Sequence, residues 1–256
     1  MGHSKLLLQA KRAGKTVTDW LGYDIRSRNS LLRPAGDMRF LLTRLQQSGL
    51  KPSWILDIGA NNSQWSRIAK SVFREAHCFM IEPQSEMQSA LEQFCQEFPG
   101  SQWILSGAGA EPGKLDLTVW DDLAGSSFLP ASEAELQQSG KQRTVEIVTI
   151  DDLLNAGKLS IPEIVKLDIQ GFELEALKGA TQIFGRTEVL ILEVSLFAFL
   201  PGQPVFEDVI RFMSDREYVV YDFPGFSRRP YDQALGQCDV CFIKREGHFR
   251  SESRWD

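Results

Sequence analysis

The sequence predicts an α/β fold built on a mostly parallel sheet with helices on both faces, and three stretches carry that prediction. Trp54-Ile55-Leu56-Asp57-Ile58 is an apolar strand that enters a tight turn, Gly59-Ala60-Asn61-Asn62-Ser63, after which Trp65, Ile68, Ala69 and Val72 recur at helical spacing. Ile164-Val165-Lys166-Leu167-Asp168 repeats the arrangement: a short strand, a turn at Gly171, then Leu174 and Leu177 on a helix that stops at Gly179. Val189-Leu190-Ile191-Leu192 is a continuous apolar run, the mark of a central strand covered on both faces. In open sheets of this kind ligands sit beyond the carboxyl ends of the strands, which is where Asp168 falls.

The remaining elements follow in chain order. Residues 1–50 read as helical segments leading into the first strand. Cys78-Phe79-Met80-Ile81 is the second strand and ends in Glu82-Pro83, after which Met87, Leu91, Phe94 and Phe98 form one buried helical stripe stopped by Pro99-Gly100. A third strand, Gln102 to Leu105, runs into Ser106-Gly107-Ala108-Gly109, and another strand covers Leu115 to Trp120. From Asp121 to Gly140 the pattern dissolves into a polar stretch, expected to be a mobile flap that brings Ser126 and Ser127 near a ligand. Val205, Phe206, Val209, Ile210 and Met213 mark a later helix. Tyr218 to Phe223 and Cys238 to Ile243 supply two more strands, joined by a long loop holding Phe226, Arg228, Arg229 and Tyr231.

At 256 residues the chain has room for one α/β domain, placed at 51–245, with a helical appendage at 1–50 and a short tail at 246–256. The formal net charge of −6 argues against an extended cationic surface for nucleic acid. Residues 1–33 are locally basic, with Lys5, Lys11, Arg12, Lys15, Arg26, Arg28 and Arg33 against Asp19 and Asp24. Leu6-Leu7-Leu8 is too short for a signal-peptide core and no run approaches the roughly 20 apolar residues of a spanning helix, so the expectation is a cytoplasmic enzyme with no transmembrane segment. Cys238 and Cys241 form a C-x-x-C within a strand that turns them to opposite faces, and no second pair completes a zinc site.

The strand ends carry the chemistry. The backbone amides of the first turn can face an anionic group, and an acid closing the second strand, Glu82, is placed to accept ribose hydroxyls, which together point to an adenosine-containing cofactor. Gly59 lets the backbone approach that cofactor, Asn61 tolerates an unusual turn conformation, and Asp57 orients the loop or reaches further along it. Lys166 and Asp168 are two apart and share one side of their strand. A lysine inside a central strand is costly unless paired, and Asp168 and Glu173 are close enough to neutralise it. Asp168 and Glu193 end two strands on the expected rim and are better placed as a base than any of the three histidines.

Three blocks, Leu56-Asp57-Ile58-Gly59-Ala60-Asn61, Lys166 to Ala180, and Ile191-Leu192-Glu193-Val194, with Thr149-Ile150-Asp151-Asp152-Leu153 as lead-in, resemble the FkbM-type family of S-adenosylmethionine-dependent methyltransferases. The resemblance covers roughly residues 52 to 195 with the blocks in the family's order. It implies a class I methyltransferase, with a Rossmann-like, mostly parallel seven-stranded sheet, acting on a hydroxyl of a sugar, glycan or other small molecule. Asp57, Gly59, Ala60, Asn61, Glu82, Ser106 and Ala108 would then contact S-adenosylmethionine, and Asp168, Lys166, Glu193 and Glu173 would form the catalytic set. Two residues depart from the family's pattern: Ser63 stands where a Gly is usual, and Gln170 where a Glu is usual.

The alternatives are distinct. A Mg²⁺ ion held by Asp168, Glu173 and Glu193 would use the same carboxylates and is possible, but it is not favoured because Gln170 removes one charge. A nicotinamide-dependent oxidoreductase would share the strand-turn-helix and the following acid, but the first turn has a single glycine, Gly59, in place of G-x-G-x-x-G. A non-catalytic cofactor-binding relative would accommodate both Ser63 and Gln170.

Overall fold

The structure is a computed structural model, and it describes residues 35–121, 123–130 and 141–255. The basic segment 1–33 expected as part of an appendage, and residues 131–140 of the expected flap, lie outside the described residues. The body described is Gly36–Asp256.

In chain order its elements are α1 (Met38–Gln47), β1 (Trp54–Ile58), α2 (Gln64–Val72), β2 (His77–Glu82), α3 (Gln88–Glu97), β3 (Gln102–Leu105), β4 (Gly107–Ala108), β5 (Gly113–Val119) and β6 (Lys141–Val148). They continue as α4 (Ile150–Asn155), β7 (Ile164–Leu167), α5 (Glu173–Lys178), β8 (Val189–Ser195), α6 (Phe206–Ser214), β9 (Tyr218–Arg228) and β10 (Leu235–Lys244). Seven strands form one sheet in the order β3-β2-β1-β7-β8-β10-β9. All neighbours are parallel as far as β8, and β10 is antiparallel to both β8 and β9. The chain runs outward from β1 to β3 and then returns to the other side of β1 with β7, so the order reverses between β1 and β7. A crevice opens at such a switch point. This is the mostly parallel seven-stranded α/β sheet that the resemblance implies.

The period of two in each strand builds two cores. Leu56, Ile58, Phe79, Ile81, Val165, Leu167, Leu190 and Leu192 face Ala176, Leu177, Val209 and Met213 on one side. Ile55, Cys78, Met80, Ile164, Val189 and Ile191 face Leu41, Leu42, Leu45, Ala69, Leu91 and Phe94 on the other. Cys238 joins the first cluster and Cys241 the second, so the two thiols do sit on opposite faces. Each fully buried Leu or Phe contributes roughly 1.5–3 kcal/mol.

Four features differ from the sequence reading. The helix α1 lies within the 1–50 stretch expected as an appendage, but its Leu41, Leu42 and Leu45 are fully packed in the body's core and Asp37 caps it by accepting from the Phe40 amide at 2.7 Å. At the other end, His248–Arg250 forms a 3₁₀ turn whose Phe249 packs on the same cluster, in the segment set apart as a tail. The stretch after β3 builds a separate sheet, β4-β6-β5, that the sequence did not suggest.

The fourth difference is the β9–β10 hairpin. It runs to Arg228 and restarts at Leu235, absorbing Pro224-Gly225 through register shifts where the sequence suggested a long loop. In its turn, Arg229 is held by Asp232 at 2.6 and 2.5 Å and Arg228 donates to the Gln233 carbonyl at 2.7 Å. Among the described residues no helix is long and apolar enough to cross a membrane.

Candidate active site

On the face of the sheet toward α1 and α2, four strands carry an apolar residue and, two positions nearer the site, a polar one. Ile55 leads to Asp57, Ile164 to Lys166 and Ile191 to Glu193, while on the antiparallel β10 Cys241 is preceded by Asp239. Register aligns these positions: Asp57 pairs with Lys166, Lys166 with Ile191, and Glu193 with Asp239. The sheet is therefore greasy at one end and charged at the other on a single face. A cavity of about 590 Å³ opens there, lined by the first turn, Glu82 to Gln84, the start of α2, part of segment 124–128, and Lys166, Asp168, Gln170, Glu193 and Asp239.

The first turn is held from within. Gly59 and Ala60 donate to the Ile81 carbonyl, Asn61 to Glu82 Oε2 at 2.7 Å, Asn62 to Asn61 Oδ1, and Ser63 to the Ala60 carbonyl. The amides from Gly59 to Ser63 are thus spent inside the protein, which overturns the expectation that they cradle an anion. What the turn offers is close approach. Gly59 has φ +80°, and a Cβ there would fall against the Asp168 carbonyl oxygen and Ile169. Replacing Gly59 with Ala should therefore cost about 1–3 kcal/mol in a urea melt; wild-type stability in that variant would show that the turn can shift freely. Ser63 has φ +66°, a conformation that favours glycine, and its buried hydroxyl, like Trp65 Nε1, finds no hydrogen-bond partner among the described residues.

Glu82 is buried at the cavity edge, and each of its oxygens takes one backbone amide, from Asn61 at 2.7 Å and from Gln84 at 2.9 Å. Burial pushes its pKa up while those two amides pull against it. A carboxylate has about four acceptor positions, so two remain for a pair of ligand hydroxyls. Asp57 sits beneath the turn and does not line the cavity: it accepts from Ser66 Oγ at 2.6 Å and so ties β1 to α2. Burial raises its pKa to about 6 against the Ser66 bond and Lys166.

Lys166 is buried at the centre of the acids, 3.2 Å from Asp168 Oδ2 and 3.1 Å from Asp239 Oδ1. Burial alone would lower its pKa, but Asp168, Asp239 and Glu193 outweigh that and raise it. Glu193 Oε2 accepts from Gln170 Nε2 at 2.7 Å and Gln237 Nε2 at 2.9 Å. Burial, reinforced by the charge of Asp168, pushes the Glu193 pKa up to about 9. Glu193 and Asp239 stand directly opposite each other on paired strands, and the raised Glu193 pKa together with the Lys166–Asp239 pair keeps two like charges from meeting there.

Three sequence candidates take other roles. Glu173 does not line the cavity; its Oε1 accepts from the Ile169 and Gly171 amides at 2.9 and 3.3 Å, which fixes the turn after β7. Burial raises its pKa to about 7. Ser106 donates to the Gly107 and Glu146 carbonyls, Ala108 is packed in the core, and neither lines the cavity, because both are recruited by the small sheet. In the opposite direction, Asp239 and Gln237 belong to the site and were not singled out from sequence. An acid alternating with buried residues in the final strand was the available signal. Of the expected flap, Ser126 Oγ reaches Gln84 Oε1 at 3.1 Å and Ser127 Oγ donates to the Gln170 carbonyl at 2.8 Å, so its described part is fastened over the site. Among the described residues no three His, Cys, Asp or Glu side chains gather in metal-binding geometry.

The cavity is of the size a nucleoside-bearing cofactor needs, and Gly59 and the Glu82 carboxylate both line it. The sheet order and the cleft over its switch point define a class I, Rossmann-like methyltransferase. The chain belongs to the FkbM family of S-adenosylmethionine-dependent methyltransferases: the family's sequence model, Methyltransferase FkbM domain, matches residues 57–220. A curated relative, the hexuronic acid methyltransferase AglP of Haloferax volcanii, is 23% identical over 176 residues, 68% of this chain. The match spans 65% of that relative, a little under two thirds of its length.

Similar solved structures include the 1,6-didemethyltoxoflavin-N1-methyltransferase of Burkholderia thailandensis, with TM-score 0.45 and 9% identity over 95% of this chain and 91% of that one. An rRNA methylase of Streptococcus thermophilus gives TM-score 0.46 and 10% identity over 84% of this chain and 99% of that one. Neither likeness bears on what this chain acts on.

Proposed function

We propose that this protein transfers a methyl group from S-adenosylmethionine to a hydroxyl oxygen of a sugar, glycan or other small molecule, with Asp168 meeting the acceptor hydroxyl. The observation that carries the reading is that Asp168 lines the same cavity as Glu82, paired with Lys166 and beside Glu193. The sulfonium supplies an already electrophilic methyl when bound, so alignment is the protein's main task. Asp168 orients the acceptor oxygen and takes its proton, Lys166 offsets the charge of the surrounding acids, and Glu193, with its pKa near 9, enters protonated and donates through Oε1. Glu82 receives the ribose hydroxyls. The sugar class is supported by the name of the Haloferax volcanii relative and by the family resemblance.

Calorimetry tests the cofactor directly. S-adenosylmethionine or its demethylated product should bind and nicotinamide dinucleotides should not. Glu82→Ala should weaken binding roughly ten- to hundredfold by losing hydrogen bonds to a charged acceptor. Tight dinucleotide binding with no response to the sulfonium ligand would sink the methyltransferase reading.

A further inference from the structure

We infer that Gln170 is a positioning residue whose side-chain amide stands where a cation would otherwise have to sit between Asp168 and Glu193, so that the site works without a divalent ion. The inference rests on the reading of Asp168 as the group that meets the acceptor. Gln170 has φ +54°, a left-handed conformation that costs a non-glycine residue about 1–2 kcal/mol. That strain aims its Nε2 at two acids together, Asp168 Oδ1 at 3.1 Å and Glu193 Oε2 at 2.7 Å. Both amide hydrogens are therefore used. Its Oε1 lies 3.5 Å from Gln237 Nε2, which donates a second bond to Glu193 Oε2, and its carbonyl is fastened by Ser127 Oγ at 2.8 Å.

The carboxylate oxygens turned toward Gln170 and Lys166 thus each already hold an N–H, which brings the positive charge density a hard cation would otherwise supply. Asp168 gives Oδ1 to Gln170 and Oδ2 to Lys166, Glu193 gives Oε2 to two amides, and Asp239 gives Oδ1 to Lys166. Positive density between crowded acids can come from a metal ion, a proton or oriented N–H dipoles. Here the amide dipoles and the Lys166 ammonium supply it. A carboxylate of the same length at position 170 would remove both donors and add a fourth acid around one ammonium, so a metal ion or a proton must replace the lost dipoles, and at alkaline pH the metal ion is the stronger competitor.

The test compares wild type with Gln170→Glu, titrating each with Mn²⁺ at alkaline pH under electron paramagnetic resonance and reading the melting temperature with and without the ion. Gln170→Glu should bind Mn²⁺ at least roughly tenfold more tightly than wild type and should melt higher in its presence, while the wild-type melting temperature does not move. A merely structural glutamine would change stability without creating that ion response. Equal Mn²⁺ affinity in the two proteins overturns the inference. Should the variant be too unstable to isolate, it is produced with and without Mn²⁺: recovery only with the ion is the expected result, and loss in both overturns it. Neither methyl donor nor acceptor enters the measurement, so its failure and a failure of the methyltransferase reading are separately visible.

Discussion

Asp168→Asn should lower turnover by about 10² to 10⁴ while leaving S-adenosylmethionine affinity within a few-fold of wild type. The asparagine keeps the shape and can still lie beside Lys166 and Gln170, but it cannot take a proton from the acceptor. The fold should survive because Lys166 retains Asp239 at 3.1 Å, so removing one of its carboxylates leaves no buried charge unpaired. Turnover, single-turnover rate and cofactor affinity are the three readouts. A loss confined to the Michaelis constant would make Asp168 a binding group only, and near-full turnover would reduce the Lys166–Asp168 pair to structure. Wild-type turnover should also be indifferent to a chelator and to added Mg²⁺. A collapse with chelator that Mg²⁺ reverses would transfer the work of Asp168 to a metal.

Much of this site was legible because it is local. Lys166 and Asp168 are two residues apart on one strand, and their ion pair follows from the pleat alone. Glu82 could be placed at the cavity because it ends the strand after the first turn, and the switch point does the rest. What escaped depends on register between distant strands. Asp239 faces Glu193 only because β10 returns antiparallel beside β8, a pairing that nothing near residue 239 announces. Glu173 misleads for the opposite reason: an acid opening a helix just past the strand of Lys166 looks reactive, and only its bonds to the Ile169 and Gly171 amides show that it holds the turn. Ser106 and Ala108 follow a strand of the main sheet as cofactor residues would, yet Ala108 enters a second sheet formed with Lys141–Val148, more than thirty residues on, and the Ser106 hydroxyl is turned to the Glu146 carbonyl of that strand.

Lys166→Met should be the most destabilising single change in the site, costing about 3–5 kcal/mol near neutral pH, because it leaves Asp168, Asp239 and Glu193 together without their ammonium. The pH dependence separates charge from packing. In wild type the lysine's raised pKa gives a contribution that is full below the unfolded value of 10.5 and is lost only as pH rises beyond it, so it is constant across neutral pH. Glu193 behaves oppositely to a paired acid: its pKa is raised from 4.5 to about 9, so the folded state loses stability as pH climbs between those values. Without Lys166 the clustered carboxyl groups have no cation among them, so their mutual repulsion adds to that decline as the variant loses protons with rising pH. Urea denaturation should therefore find the variant closest to wild type at about pH 5, where protonation relieves the repulsion, and furthest from it at about pH 8.5. An equal deficit at both pH values would mean that the methionine fails for want of room, with the ammonium contributing nothing to the balance of charge around Asp168.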